Sequence, residues 1–310
     1  MIKLKNVTKK FGNQTAVDNL SIELKKGEIC TFVGESGCGK STTLKMINRL
    51  IDADSGVIEI NGENISSYKE EELRRQIGYV VQSVGLFPHM NVRENISIVP
   101  KLLNWNEDRI LQRVKELINL VGLDVQTYIN KYPSELSGGE AQRIGVARAL
   151  AADPEIILMD EPFGAIDPLN RGNLQEEFLK IQKELKKTVI FVTHDMDEAM
   201  KMGDKIAIMS KGKLEYFGRP EKMLSSQNKF IKSFLGTETH IKILARFNVE
   251  KYMDTKYKDD IKYAVDAKAN VRDVIASMFE HGIDKMNVMK NNEIVGTVFL
   301  KDIIKIFQEG

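Results

Sequence analysis

The sequence predicts an α/β fold built on a buried parallel sheet that carries functional side chains at the carboxyl ends of its strands. Three observations predict it. The apolar run GEICTFVG (27–34) leads into a glycine-rich stretch and then STTLKMINRL (41–50), which reads as a helix. Two further short apolar runs, EIILMDEP (155–162) and TVIFVTHD (188–195), each end in polar residues. That is the pattern of central strands in an open α/β sheet, where ligands bind at the strand ends. Between them LQEEFLKIQKELKK (174–187) reads as the connecting helix.

The remaining elements follow in order. Residues 2–8 and 20–25 alternate apolar and polar, as half-exposed strands do. DSGVIEINGENI holds two short strands around Asn61-Gly62, a hairpin signal. QIGYVVQ (76–82) is another buried strand. From about 91 to 152 the character turns helical, with Ile110, Leu111, Val114, Leu117, Ile118 and Val121 at helical spacing. GGEAQRIGVARALAA is a second long helix, and residues 205–218 form a hairpin pattern around Lys211-Gly212. Near Gly236 this pattern ends. Residues 248–308 read as a separate unit: the helix VRDVIASMFEHG, two strands in KMNVMKNNEIVGTVF joined at Asn291-Asn292, and the final helix KDIIKIFQ. No internal repeat or low-complexity tract is visible.

Composition sets the outer bounds. Across 310 residues, 42% are apolar and 29% charged, enough to bury a core. The net charge of +1 gives no electrostatic argument for a nucleic-acid partner. Cys30 and Cys38 make no disulfide framework, and a reducing compartment is the simplest setting. The N-terminus is polar and basic, and no run approaches the ~20 apolar residues that span a bilayer. A soluble, cytoplasmic chain is expected.

GESGCGKST (34–42) fits G-x-x-x-x-G-K-[ST] through Gly34, Gly39, Lys40 and Ser41. It follows a strand and opens a helix, which argues against an ordinary glycine-rich turn. The glycines let successive N–H groups and the helix N-terminus face an anion. Lys40 is expected to reach β- and γ-phosphates, and Ser41 to bind Mg²⁺ through its hydroxyl. Glu35, Ser36, Gly37, Cys38 and Thr42 complete the cradle. The loop by itself specifies only a P-loop NTPase. Asp160, at the end of an apolar strand, suits a role holding Mg²⁺ through water. Glu161 suits orienting or deprotonating an attacking water. The bland alternative is a solvated acidic pair. A lone His194 at a strand end is more often structural than catalytic.

LSGGE (136–140) changes those odds. With the phosphate loop, the Asp160-Glu161 pair, Gln82 and His194 in this order, residues 1 to about 235 closely resemble an ABC transporter ATPase. Ser137, Gly138 and Gly139 precede a helix, so they form a second anion site. The resemblance implies a head-to-tail homodimer, in which this signature closes on the γ-phosphate of ATP held by the partner's loop. It implies that Phe11 stacks on adenine, although a core position is the alternative. Gln82 is implied to contact the Mg²⁺ and water site and to sense the membrane partner. Asp167 is implied to cross the dimer interface, and His194 to contact the γ-phosphate. Lys40, Gln82, Glu161 and His194 are then the catalytic set, with Ser41, Gln82 and Asp160 around the metal. Two positions depart from the family pattern: Glu140-Ala141 where glutamines are frequent, and Ile166 where leucine is usual. Neither removes a phosphate-contacting group. Cys38, inside the loop, is expected to make ATP binding sensitive to thiol alkylation, with ATP protecting.

The implied architecture is an ABC ATPase domain at 1–236 with an inserted helical subdomain at about 83–152, a linker at 237–247, and at 248–310 a small α+β unit. That last unit resembles a single cystathionine-β-synthase (CBS) domain. Its GTVFLKD (296–302) keeps Asp302 but has Phe299 at a hydroxyl position. An ABC ATPase followed by CBS resembles the quaternary-amine uptake family. The implied protein is the ATPase of a bacterial importer for glycine betaine, choline, carnitine or proline in osmoprotection. An importer for another small solute, such as an amino acid, is the alternative. Implied partners are permease subunits and, through them, a substrate-binding protein, with the chain peripheral on the cytoplasmic face of the plasma membrane. Paired CBS domains are implied to bind cyclic di-AMP or an adenosine nucleotide, to sense ionic strength, or only to dimerise.

Overall fold

The computed structural model describes residues 1–81, 85–164, 166, 168–223, 228, 230–231, 244–257 and 262–304. The chain forms two compact units, Met1–Phe217 and Gly218–Gly310. The boundary expected at 236–237 lies outside the described residues.

The first unit opens with an antiparallel sheet of β1 (Ile2–Phe11), β2 (Gln14–Leu24), β4 (Ser55–Ile60) and β5 (Glu63–Asn64), in the order β2-β1-β4-β5. Ile2, Leu4 and Val7 face inward opposite Leu24, Ile22 and Leu20. Both β1 and β2 run farther than their apolar alternation suggested. The added residues, among them Lys9, Lys10 and Thr15, lack the alternation signal and are held by pairing alone, Lys10 against Thr15 and Phe11 against Gln14.

The central sheet holds β3 (Ile29–Val33), β6 (Ile77–Val80), β7 (Ile156–Asp160), β8 (Thr188–Thr193), β9 (Lys205–Ser210) and β10 (Lys213–Gly218), in the order β10-β9-β3-β8-β7-β6. From β9 to β6 the pairings are parallel. Every residue of β3, β7 and β8 is buried, as expected where helices or a second sheet cover both faces. Alternate residues of β7 and β8 enter different cores. Ile157, Met159, Val189 and Phe191 pack with the helices, while Ile156, Leu158, Ile190 and Val192 pack with the antiparallel sheet.

Helix α1 (Lys40–Ile47) follows β3, and α2 (Glu70–Arg75) precedes β6. Between β6 and β7 the chain forms α3 (Val92–Leu102), α4 (Glu107–Leu120), α5 (Val125–Tyr128) and α6 (Gly138–Leu150). Ile110, Val114, Leu117 and Ile118 form the buried face of α4, at the spacing read from sequence. Helix α7 (Pro168–Leu185) links β7 to β8, and α8 (Met196–Met202) links β8 to β9. The middle order β3-β8-β7 brings three parallel carboxyl ends to one edge, with Val33 beside Thr193 and Asp160 beside Val192. That edge is where the sequence places its chemistry.

The second unit has a sheet of order β11-β14-β13-β12, from β11 (Met253–Asp254), β12 (Ala264–Asp266), β13 (Lys285–Lys290) and β14 (Glu293–Phe299). The helix Val271–His281 contributes Val271, Val274 and Met278 to its core, against Met286, Val288 and Val298. The turn Asn291-Asn292 has two positive φ angles, 52° and 65°, the geometry of a tight hairpin. Strands β11 and β12 are too short to show a period and were not legible in sequence. Among the described residues, no helix is long and apolar enough to cross a membrane.

Candidate nucleotide site

The loop between β3 and α1 is shaped by its glycines. Gly34 has φ 154° and Gly39 has φ 108°. A Cβ on Gly34 would lie 2.1 Å from the Met209 carbonyl oxygen, and one on Gly39 would lie 2.4 Å from that of Ala16. No side chain caps α1, so its first N–H groups stay available to an anion. Lys40 is only 5% exposed. Its ammonium donates to the carbonyls of Gly34 at 2.7 Å and Glu35 at 2.9 Å. Glu35, Ser36 and Gly37 form the exposed rim, and Thr42 lies half-buried in the first turn. The Cys38 side chain turns away from the rim into the apolar core, at 3% exposure. Burial raises its thiol pKa, with the nearby Lys40 charge opposing.

Asp160 ends β7 and is buried. The Ser41 hydroxyl donates to its Oδ1 at 2.8 Å. Burial pushes the Asp160 carboxyl above its ordinary range, the Ser41 bond pulls it down, and Glu161 pushes it up again. Glu161 adopts φ 44°, and its N–H donates to the Val192 carbonyl at 3.0 Å. That turn out of the strand aims the carboxylate sideways, where Oε2 lies 3.1 Å from His194 Nδ1. His194 is set by the end of β8 and by Asp195, which caps α8 by accepting from the N–H groups of Asp197 and Glu198. The structure thus gathers Lys40, Ser41, Asp160, Glu161 and His194 at one sheet edge. Gln82 and Asp167 lie outside the described residues.

The signature forms a second, separate helix start. Ser137 caps α6 in a reciprocal box: Ser137 N–H donates to Glu140 Oε2 at 2.7 Å, and Glu140 N–H donates to Ser137 Oγ at 3.4 Å. Ser137, Gly138 and Gly139 open onto a cavity of about 600 Å³ that residues of α6 and α7 line, with no residue of the 34–42 loop in its wall. Phe11 is 52% exposed at the end of β1, which removes the core reading, and the Lys9 ammonium lies 5.5 Å from its ring centroid. Tyr128 carries no motif signal in the sequence, yet its hydroxyl donates to Glu140. The box itself was legible as S-x-x-E, but nothing in the sequence pairs residues on two different helices.

A strand–loop–helix cradle with a buried lysine, and an Asp-Glu pair at the end of the parallel strand β7, one strand removed from β3 across β8, define a nucleoside-triphosphatase of the P-loop class. The ABC transporter family model matches residues 17–164. The chain is 46% identical over 297 residues to the glycine betaine/carnitine/choline transport ATP-binding protein OpuCA of Bacillus subtilis, covering 95% of this chain and 77% of that one. It is 42% identical over 307 residues to the glycine betaine uptake system ATP-binding protein YehX of Escherichia coli, covering 98% and 99%. Among solved structures, the dimeric, ADP- and phosphate-bound ATP-binding cassette MJ0796 matches with a TM-score of 0.63 at 34% identity, over 71% of this chain and 98% of that one. The chain belongs to the ATP-binding subunits of ABC transporters, and it is an ATPase coupled to transport.

Proposed function

We propose that this chain powers a bacterial importer of a quaternary-amine compatible solute: glycine betaine, choline, carnitine or proline. The observation that carries the reading is collinearity with YehX, a glycine betaine uptake protein, over 98% of this chain and 99% of that one. The match runs through the second unit as well as the ATPase. Two copies of the chain would sandwich ATP on the cytoplasmic face of the membrane and dock on permease subunits. Residues 83–152 would form the helical subdomain that grips them. The second unit would act as a CBS-like module that pairs across the dimer and regulates it, with a cyclic di-AMP or adenosine-type ligand as one route.

The geometry of the described residues supports the following roles. Gly34 to Thr42 bind the phosphates through backbone N–H groups, and Lys40 exchanges its loop carbonyls for β- and γ-phosphate oxygens. Ser41 Oγ and Asp160 Oδ1, 2.8 Å apart, are adjacent hard oxygen donors and fit Mg²⁺. Among the described residues no cluster of three or more potential protein ligands exists, as suits a metal that takes most of its ligands from phosphate and water. When bound, Mg²⁺ supplies charge neutralisation at the phosphate oxygens. Glu161 holds and deprotonates the attacking water, and His194, 3.1 Å from Glu161, orients that carboxylate and meets the γ-phosphate. By the family resemblance Gln82 would contact the Mg²⁺ and water site and Asp167 would cross the dimer interface; both lie outside the described residues. Phe11 offers its exposed ring to adenine. Ser137 and the N–H groups of Gly138 and Gly139 close on the partner's nucleotide.

Uptake of labelled glycine betaine, choline, carnitine and proline after a salt upshift tests this. Cells lacking the gene are compared with cells rescued by wild type or by Glu161→Gln. Loss of one solute's uptake, restored by wild type alone, is expected. Unchanged uptake of all four would remove the osmoprotectant assignment and leave the ATPase standing.

A further inference from the structure

Glu140 places a carboxylate where a phosphate-facing helix start gains most from presenting donors alone. Both of its oxygens are engaged: one accepts the Ser137 N–H at 2.7 Å and the other accepts the Tyr128 hydroxyl. The residue lines the same cavity as Ser137, Gly138 and Gly139. The nearest guanidinium on that wall is committed elsewhere, since Arg143 pairs with Glu177 at 2.7 Å and donates to the Val121 carbonyl at 2.8 Å. The charge of Glu140 is therefore fixed in place at the third position of α6 by the Ser137 and Tyr128 bonds, with the helix's own N-terminus and the Lys131 ammonium as its positive surroundings. The positive end of a helix amounts to about half a charge. A carboxylate already seated there weakens its pull on a second anion, and the two anions repel at close range.

We propose that Glu140 is an electrostatic brake on closure of the ATP dimer, a built-in anion that competes with the partner's γ-phosphate for the start of α6. The inference rests on the reading of Ser137 to Gly139 as the phosphate contact made across the dimer. Glutamine isolates the charge. Its oxygen accepts the Ser137 N–H, and its amide donates to the Tyr128 oxygen, which accepts as well as donates. Glu140→Gln thus keeps the box and the link between helices and removes only the negative charge. Tyr128→Phe keeps the charge and the box and removes the link between helices.

The test is ATP-driven dimer formation by the full chain, followed by analytical ultracentrifugation on a Glu161→Gln background. With Glu140→Gln added, the ATP midpoint is expected to fall about three- to thirty-fold at low ionic strength. The gap should narrow at roughly 0.5 M NaCl, where exposed charges are screened. Tyr128→Phe should leave the midpoint unchanged or raise it. An unchanged or higher midpoint in Glu140→Gln, while the parent dimerises normally, overturns the brake and leaves the proposed function intact. Equal falls in Glu140→Gln and Tyr128→Phe overturn it too, since a mechanical latch would then be at work. A parent that stays monomeric at every ATP concentration removes the shared phosphate site, and the brake with it.

Discussion

Helices α1 and α6 both start at glycines that the sequence offers to phosphate, yet they are built in opposite ways. Gly39 begins α1 at φ 108°, with no side-chain cap and a backbone contact no Cβ can share. Ser137 begins α6 in extended conformation and is capped by its own Glu140, while a Cβ on Gly138 would meet nothing within 4 Å. The first start takes its shape from packing against β2 and β9; the second takes it from local hydrogen bonds. The largest predicted effect breaks that contrast directly. Gly39→Ala should displace the loop and cost ATP affinity about a hundred-fold or more, because the Ala16 carbonyl is backbone and cannot step aside. Gly138→Ala should leave the single chain as stable as wild type or slightly more so, by up to about 1 kcal/mol, since alanine is the better helix former. Nucleotide titration and thermal unfolding of both variants read the difference.

The second contrast lies within the sheet edge proposed as catalytic. Lys40 and Ser41 come from a helix, whereas Glu161 and His194 sit just past strand ends and touch each other. Glu161→Gln should slow hydrolysis by about 10²- to 10⁴-fold and leave ATP binding in place, because the amide cannot take a proton from water. Single-turnover hydrolysis set beside equilibrium binding separates the two. A parallel loss of affinity would move Glu161 from a water-handling role to a structural one.

Cys38 sharpens the same comparison at smaller scale. Its position in the loop suggested an accessible thiol, but the left-handed backbone at Gly37 and Gly39 turns the side chain into the core beside Leu44 and Met209. Burial raises the thiol pKa, so the reactive thiolate is scarce as well as shielded. Alkylation of the native chain should run at least about ten-fold slower than in denaturant, and bound ATP should slow it further. Equal rates would mean that the loop opens readily without nucleotide.

The legibility of the molecule follows from where information is stored along the chain. Central strands β3, β7 and β8 are continuous apolar runs and could be read at sight, as could the 3.6-residue spacing of α4. Glu161 and His194, proposed as catalytic, stood out because each directly follows such a strand, β7 and β8. What escaped is what depends on pairing across space. The outer halves of β1 and β2 have no alternation, and β11 and β12 have too few residues to show a period. The Tyr128–Glu140 contact joins α5 to α6, and the inward turn of Cys38 comes from φ angles that residue types do not state. Phe11 was ambiguous for a related reason: whether an aromatic at a strand end is core or exposed depends on what packs beside it.

Glu140 and Glu198 give the finest form of the comparison, since each is the third residue of its helix behind a capping side chain. The Tyr128 hydroxyl and the Ser137 N–H pull the Glu140 carboxyl below its usual range. Burial pushes the Glu198 carboxyl above its usual range, against bonds from Thr193 and Gln175, the latter at 2.9 Å. The signs then differ. A depressed folded pKa gives stability that is present above the unfolded value of about 4.5 and lost as pH falls through the folded value. A raised one makes the folded state hold its proton longer, so stability falls as pH rises from about 4.5 through the folded value. Glu198→Gln keeps an acceptor for Gln175 and a donor toward Thr193 while removing that charge. It should raise Tm at pH 7 by about 2 °C or more, with the gain fading as pH falls through the raised folded value and the wild-type side chain takes up its proton. Glu140→Gln should show a smaller change of opposite sign over the same range, because its carboxylate lies nearer solvent. Two melting curves against pH decide it. If both variants move Tm in the same direction at pH 7, burial does not distinguish these two helix starts, and hydrogen bonding alone governs them.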